Sequence, residues 1–366
     1  MFYQKIIRPI LYTIPADTIH PIVAGGGEIA AKIPLIGPAL TNYYRVENPA
    51  LRVQLFGINF PNPIGLSAGF DKDGKYLDFA HTFGFGFSEV GSITGEPYAG
   101  NPKPWTRRLV KNQALVINYG LKSQGAEKVY SGLRKKKPFI PFGISVAKTN
   151  RPDCVGEKGI ADYVKVFKTF KDIGSYYTIN LSCPNTSDGT PFSEPEALEK
   201  LLIEITKARS EIKSTKPIFL KINPDLDKNK IDQVIELCHK FNIQGLVISN
   251  LIKDHQKAKT YLKFPEEYNP NWPGGLSGSA VRQISTDCIR YVYQKTQGSI
   301  KIIGVGGVFT GDDAYEKIKA GASLIELITG FIFNGPTTIR KINLRLLELL
   351  KKDGYSNISQ AVGKIN

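Results

Sequence analysis

Short runs rich in apolar residues alternate with longer amphipathic segments along most of the chain. The short runs are typical of buried strands, and the longer segments carry apolar residues at helical spacing. Eight such strands, each leading into a helix, favour a closed parallel barrel over an open sheet. The sequence therefore predicts an α/β fold, a (β/α)8 TIM barrel over residues 46–366 that begins with a hairpin at 51–60. The predicted strands are 64–68, 87–93, 140–146, 176–181, 218–222, 245–249, 302–305 and 324–328, and the predicted helices include 196–214, 228–240 and 312–320.

The first 45 residues follow a different pattern, which predicts a small helical extension. Apolar residues recur at helical spacing between positions 2 and 14, and Pro9 is expected to kink or restart that helix. Asp17 and Thr18 are expected to cap a second short helix, which the three glycines at 25–27 would end. An amphipathic segment of this kind either packs on its own domain or lies at a membrane interface, and the pattern leaves both open.

Polar residues cluster where the predicted strands end. In a barrel these ends meet at one face, which is where barrel enzymes place their active sites. At 180–185 the chain reads NLSCPN, in which amide side chains flank a thiol and Pro184 ends any ladder of hydrogen bonds. Such an arrangement can hold a flat polar ligand and accept a proton from it. The other polar residues at strand ends are Lys72, Ser92, Ser145, Lys221, Ser249, Asn250 and Thr329.

Glycine-rich segments are expected to meet at the same face. They lie at 304–307, 329–330 and 274–278, where backbone N–H groups can approach a phosphate closely. The alternative is that these glycines form tight turns and helix caps. Lys221 lies inside an otherwise apolar strand, so its ammonium needs an anionic or carbonyl partner. A flavin would meet that need, because a nearby cation stabilises the reduced cofactor.

Composition and charge narrow the possible functions. The chain has 366 residues, of which 42% are hydrophobic and 22% charged, and these are globular values. Its net charge of +15 suits an anionic substrate or membrane surface, although lysine-rich solvated faces would give the same charge. The basic residues are scattered without a recognition motif, so no nucleic-acid partner is expected. Its four cysteines show no metal or disulfide spacing, which predicts no metal site and favours a reducing, cytoplasmic compartment.

Two segments together resemble the dihydroorotate dehydrogenases, flavin enzymes of pyrimidine synthesis. These are NLSCPN at 180–185 and GLSAGFDKDG at 65–74. The resemblance covers nearly the whole chain and is closest to the membrane-associated, quinone-linked class, which has an N-terminal helical extension. The other matching motifs are long, ordered and correctly spaced: IPADTIH at 14–20, GNPKP at 100–104, RL at 108–109, GGLSG at 274–278, IGVGG at 303–307, GASL at 321–324 and GFIF at 330–333.

The resemblance implies a role for individual residues. It implies Cys183 as the catalytic base, and His20 and Arg108 as lining of a quinone tunnel. The implied substrate contacts are Lys72, Asn118, Asn180, Asn185 and Asn250. The implied FMN contacts are Ala68, Gly69, Ser92, Ser145, Asn180, Lys221, Ser249, Gly278, Gly306, Gly307, Thr329 and Gly330.

Four positions depart from the family pattern. Cys183 stands where the quinone-linked class carries serine, although the soluble class uses cysteine. An ungapped alignment puts Ile117 where the family has asparagine, and only a compensated gap returns Asn118 to that role. Leu251 replaces a threonine of the substrate site, and Ile328 replaces a tyrosine.

The resemblance implies oxidation of dihydroorotate to orotate in pyrimidine biosynthesis. Electrons would pass from FMN to a membrane quinone, and residues 1–45 would contact the cytoplasmic face of the membrane as a peripheral anchor and quinone entrance. The alternative is an enzyme that oxidises dihydroorotate or a related dihydropyrimidine with a soluble acceptor, fumarate or NAD. A third possibility is a barrel that keeps FMN without catalysis, but Lys72, Cys183, Asn185 and Lys221 together argue against it.

Overall fold

The computed structural model describes residues 2–181 and 191–364. Its strands are β1 (Val53–Leu55), β2 (Ile58–Phe60), β3 (Ile64–Leu66), β4 (Phe87–Ile93), β5 (Thr106–Leu109), β6 (Ala114–Ile117), β7 (Phe142–Val146), β8 (Tyr176–Asn180), β9 (Ile218–Ile222), β10 (Gly245–Ile248), β11 (Gly275–Gly278), β12 (Lys301–Val305) and β13 (Leu324–Leu327). Its helices are α1 (Arg8–Tyr12), α2 (Ala16–Lys32), α3 (Ile36–Tyr44), α4 (Leu77–Thr82), α5 (Ala126–Leu133), α6 (Gly156–Thr169), α7 (Pro195–Glu211), α8 (Lys228–Lys240), α9 (His255–Thr260), α10 (Arg282–Thr296), α11 (Gly311–Ala320), α12 (Thr329–Asn334) and α13 (Thr338–Asp353).

Eight parallel strands close into the predicted barrel, so the (β/α)8 fold is confirmed. Around the barrel they run β3, β4, β7, β8, β9, β10, β12 and β13, and β13 pairs back onto β3 with Glu326 beside Gly65. Each of these strands lies within two residues of its predicted bounds. Helices cover the outside of a parallel barrel, so its strands are buried on both faces and need continuous apolar runs. Ile144, Leu220 and Ile303 are examples of their fully buried side chains.

A three-stranded antiparallel sheet lies beside the barrel and was not predicted. Its order is β11-β6-β5, and the segment expected to be a glycine loop at 274–278 therefore forms strand β11. Strand β5 of this sheet reads TRRL and is only half-buried, so its sequence contains no apolar run that would predict a strand. The sheet brings Gly278 and the segment after β6 to the carboxyl end of the barrel.

The N-terminal extension consists of α1, α2 and α3, preceded by a π-helical turn at Tyr3–Ile7. Pro9 lies in the first turn of α1, so it restarts the helix as predicted. The expectation for Asp17 was wrong. Helix α2 begins after Pro15 without a side-chain cap, and the Asp17 carboxylate instead accepts a hydrogen bond of 2.7 Å from the backbone N–H of Trp105.

The expectation that glycines 25–27 end the second helix was also wrong, because α2 continues through them to Lys32. Each glycine in a helix costs about 1 kcal/mol relative to alanine, but contact with the barrel can offset that. A Cβ atom added to Gly27 would lie 2.4 Å from the Phe79 ring, so glycine permits α2 to approach α4 closely. The next residue, Glu28, accepts a hydrogen bond of 2.9 Å from the Phe79 N–H. The extension is therefore fastened to the barrel by specific contacts.

Candidate active site

One cavity of about 660 Å³ opens at the carboxyl end of the barrel strands and continues between the helices of the extension. Parallel strands place their carboxyl ends at one face, which explains why residues distant in sequence meet here. The predicted site residues that line this cavity are His20, Ala68, Gly69, Lys72, Ser92, Arg108, Asn180, Lys221, Ser249, Asn250, Gly278, Gly306, Gly307, Thr329 and Gly330.

Two predicted residues do not line the cavity. Ser145 lies beneath it, where its hydroxyl is fully buried and 2.8 Å from the hydroxyl of Ser92. Asn118 is buried in the segment after β6 and accepts a hydrogen bond of 2.9 Å from the Asn101 side chain. Cys183 and Asn185 lie outside the described residues, so their predicted roles are untested.

A chain of hydrogen bonds forms the polar floor of the cavity. Asn250 donates its amide N–H to the Asn180 carbonyl oxygen at 3.2 Å, and Asn180 donates to the Ser92 hydroxyl at 2.8 Å. Ser92 is in turn bonded to Ser145. Because each group satisfies the next, the Asn180 amide is held in one orientation. Three barrel strands, β4, β7 and β8, are thereby joined beneath the space where a ligand would lie.

Lys221 has acidic neighbours inside the barrel, which sequence reasoning missed. Its ammonium lies 3.3 Å from the Ser67 hydroxyl and 4.0 Å from a carboxylate oxygen of Glu89. Glu89 also accepts a hydrogen bond of 2.6 Å from Thr178, and Glu326 is fully buried in the same interior. The sequence did contain a signal for these neighbours, because Glu89 and Glu326 each lie within a largely apolar strand, β4 and β13 respectively.

Burial governs the charge state of these carboxyls. Desolvation raises the pKa of Glu89, although the Lys221 ammonium opposes this. Desolvation, followed by the negative charge of Glu89, raises the pKa of Glu326 well above its ordinary value. Glu89 and Glu326 face a single lysine, Lys221, so the charges of these three groups balance when one of the two carboxyls is protonated.

Lys72 is the second lysine of the site. Its ammonium donates to the Gly69 carbonyl and lies 3.8 Å from the centroid of the Tyr119 ring. Desolvation lowers the pKa of Lys72 to about 8, which leaves it mostly charged at neutral pH.

The glycines after β12 give the cavity a wall of bare backbone. Gly306 and Gly307 adopt φ values of 115° and 68°, a region that side-chain-bearing residues rarely occupy. Among the described residues, none accepts a hydrogen bond from the N–H groups of these two glycines. Backbone donors left open in this way form a suitable site for a phosphate. All three predicted glycine segments thus contribute residues to this face, and the third does so through Gly278 at the end of β11.

The other end of the cavity is apolar. It is lined by side chains from the extension, among them Ile7, Leu11, Ile19, Val23 and Leu40. No helix among the described residues is long and apolar enough to cross a bilayer.

His20 and Arg108 stand between the polar and apolar ends. The His20 ring packs edge-on against Phe70 at 4.7 Å, and desolvation, aided by the charge of Lys72, lowers the pKa of His20 to about 4. His20 is therefore neutral at physiological pH. Arg108 donates hydrogen bonds of 3.2 and 2.9 Å to the carbonyls of Tyr12 and Ile14, so it also anchors the end of α1.

Three of the four departures from the family pattern line the cavity, and the first of them is Ile117. Leu251 and Ile328, which stand where a threonine and a tyrosine were expected, both line it. Each replaces a hydroxyl by an apolar surface.

Comparisons with known proteins agree with this geometry. A family model described as dihydroorotate dehydrogenase matches residues 50–350. A dihydroorotate dehydrogenase (quinone) from Nostoc punctiforme is 39% identical over 322 residues, 86% of this chain and 83% of that protein. The corresponding protein from Christiangramia forsetii is 35% identical over 346 residues, 94% of this chain and 99% of that one. The crystal structure of DHODH from Eimeria tenella in complex with ferulenol has a TM-score of 0.83 at 27% identity and covers 97% of this chain and 98% of its own. This chain belongs to the dihydroorotate dehydrogenase family, as its motifs predicted.

Proposed function

We propose that this protein oxidises dihydroorotate to orotate on a bound FMN and passes the electrons to a membrane quinone. The observation that carries the proposal is the continuous cavity, which is polar at the barrel mouth and apolar between the extension helices. A polar substrate and an apolar acceptor can then reach one cofactor from separate ends.

Dihydroorotate dehydrogenases are flavin enzymes, and the residues present fit FMN. The open N–H groups of Gly306 and Gly307 suit its phosphate. Lys221 and Asn180 lie on neighbouring strands at the barrel mouth, where they would meet the polar edge of the isoalloxazine ring. When bound, FMN supplies the hydride acceptor that no amino-acid side chain provides.

At the polar end the protein must orient the substrate and remove a proton. Lys72, Asn180 and Asn250 offer donors to its carbonyl and carboxylate groups. We assign the base to Cys183, which lies three positions after Asn180 in the sequence. A free thiol has a pKa of about 8.5, so its deprotonation near neutral pH needs help from nearby cations or from binding of the substrate itself.

At the apolar end we assign residues 1–45 to quinone entry and to peripheral contact with the cytoplasmic face of the membrane. Large apolar side chains of the extension are exposed, including Phe2, Ile10, Ile29 and Leu35, the last at 85%. Helices with such a face bury it at a bilayer interface, and the positive charge of the protein adds attraction to anionic lipid.

The first experiment tests the reaction. Purified protein should contain FMN, and dihydroorotate should bleach it in the absence of oxygen. Steady-state rates with ubiquinone, menaquinone, fumarate and NAD then separate a quinone-linked enzyme from one with a soluble acceptor. Failure of dihydroorotate to reduce the bound flavin would exclude the proposed substrate.

A second experiment tests the extension. Deleting it would uncover Phe79, so point variants are cleaner. Ile29→Asp and Leu35→Asp should lose liposome binding and quinone turnover but keep flavin reduction by dihydroorotate. Ile203→Asp, at an exposed position on α7, is the matched control and should change neither. Unchanged quinone turnover in the extension variants would contradict the assignment.

A further inference from the structure

The segment after β6 turns sharply at the polar end of the cavity. Residues 119–122 all line it. Gly120 and Leu121 adopt left-handed φ values of 64° and 63°, and the leucine in particular is strained there. Among the described residues, none accepts a hydrogen bond from the N–H groups of Gly120, Leu121 or Lys122. Successive amides left open in a turn form a concave site for an anion.

Two ammonium groups flank this turn on a pair of aromatic rings. Lys122 lies 4.1 Å from the centroid of Trp105, and Lys72 lies 3.8 Å from that of Tyr119. The two rings are 5.1 Å apart with 30° between their planes. Each lysine is therefore held by cation–π contact at a defined place beside the cavity.

Neither ammonium makes an ion pair among the described residues. The two acidic residues adjacent to Lys72 in sequence are bonded elsewhere. Asp71 accepts hydrogen bonds from the backbone N–H groups of Lys75 and Tyr76, and Asp73 accepts them from the backbone N–H and side chain of Gln124. After desolvation, the positive charge of Lys122 helps to lower the pKa of Lys72, against opposing effects of Asp73, Asp71 and Asp17. Two like charges beside open amide donors make a site that favours an anionic ligand.

Asn118 was expected to contact the substrate from this segment, but it does not line the cavity and is bonded to Asn101. Lys122, four residues later, does line it. We propose that Lys122 binds the carboxylate of the substrate together with Lys72, and so selects acidic dihydropyrimidines over uncharged ones. This inference rests on the proposed function and adds a specificity-determining residue to it.

The test is the affinity of the FMN-loaded protein for orotate, measured by calorimetry for Lys122→Met. Loss of one charge-assisted contact should weaken orotate binding roughly 10- to 100-fold and raise KM for dihydroorotate similarly, with little change in kcat. Lys122→Arg should retain most of the affinity. The matched control is Lys103→Met, because Lys103 packs on the same Trp105 ring at 4.7 Å but does not line the cavity. It should bind orotate as the parent protein does.

A neutral probe separates charge recognition from damage to the loop. The methyl ester of dihydroorotate lacks the carboxylate charge, so parent and Lys122→Met proteins should bind it alike. Orotate binding by Lys122→Met that matches the Lys103→Met control would overturn the inference, as would an equal loss for the methyl ester. Reduction of the parent flavin by dihydroorotate tests the proposed function separately, so the two failures are distinguishable.

Discussion

Replacing Glu326 by glutamine is expected to stabilise the protein at neutral pH. This carboxyl is fully buried in the barrel beside Glu89 and Lys221. Desolvation and then the charge of Glu89 raise the pKa of Glu326 well above its ordinary value, so the folded protein holds this proton to a higher pH than the unfolded chain does. The unfolded chain releases that proton above its ordinary pKa of about 4.3.

The size and sign of the effect follow from this difference. The folded state binds more protons than the unfolded state above the ordinary pKa, so stability falls as pH rises until the folded carboxyl itself ionises. Each pH unit between the unfolded and the folded pKa of Glu326 costs about 1.4 kcal/mol of stability. Glutamine has the same shape and holds no titrating proton. Glu326→Gln should therefore recover most of that free energy at pH 7 and almost none near pH 4.

Urea unfolding with excess FMN, followed from about pH 5 to pH 8, measures this difference. Glu157→Gln is the control, because Glu157 is exposed on α6 and changes formal charge in the same way. The gain in free energy of unfolding should grow with pH for Glu326→Gln and stay flat for the control. A variant whose stability follows the same pH slope as the parent protein would show that Glu326 is ionised in the folded state and refute the reasoning.

Four further predictions concern other parts of the molecule. Cys183→Ala should abolish flavin reduction by dihydroorotate while FMN stays bound, and Cys183→Ser should keep some activity with a higher pH optimum, as a pH profile of anaerobic reduction would show. Lys221→Ala should weaken FMN retention and lower the flavin midpoint potential, so an unchanged potential and occupancy would place Lys221 outside the cofactor site. Gly27→Ala should lower the free energy of unfolding by about 1 to 3 kcal/mol, since its Cβ would lie 2.4 Å from the Phe79 ring; no loss in urea unfolding would mean that α2 moves freely on the barrel. Burial lowers the pKa of Lys317 to about 7, so this residue should make stability rise from about pH 7 towards pH 10 and level off below pH 7. Lys317→Met should therefore be most stabilising at and below pH 7 and progressively less so towards pH 10, and an equal effect at pH 7 and pH 9 in urea unfolding would contradict this.

The extension shows why local rules failed in one part of the chain. Glycine propensity predicted a break at 25–27, but propensity describes an isolated helix. Gly27 and Glu28 contact Phe79, which is about fifty positions away in the sequence. No local sequence window contains both partners, so a local rule cannot predict this contact. The same holds for Asp17, whose carboxylate caps no helix because it bonds to Trp105 instead.

The sequence by itself determined the barrel and the family. Parallel strands covered on both faces need continuous apolar runs, and those runs, such as 245–248 and 302–305, are visible in a one-dimensional pattern. The position of polar residues at strand ends follows from the same geometry, which is why the pattern alone predicts Lys72, Asn180 and Asn250 at the cavity that they line. The roles proposed for them are implied by the resemblance of the motifs to the family.

Only the tertiary structure decided which side chains face one another across the barrel and its loops. Glu89, Glu326 and Lys221 come from three strands, and their charges depend on a shared interior that no single strand contains. In the segment after β6, one turn with left-handed residues directs Lys122 to the cavity wall and Asn118 away from it. Burial, charge and side-chain direction are set by distant partners in space, and a sequence read residue by residue does not contain those distances.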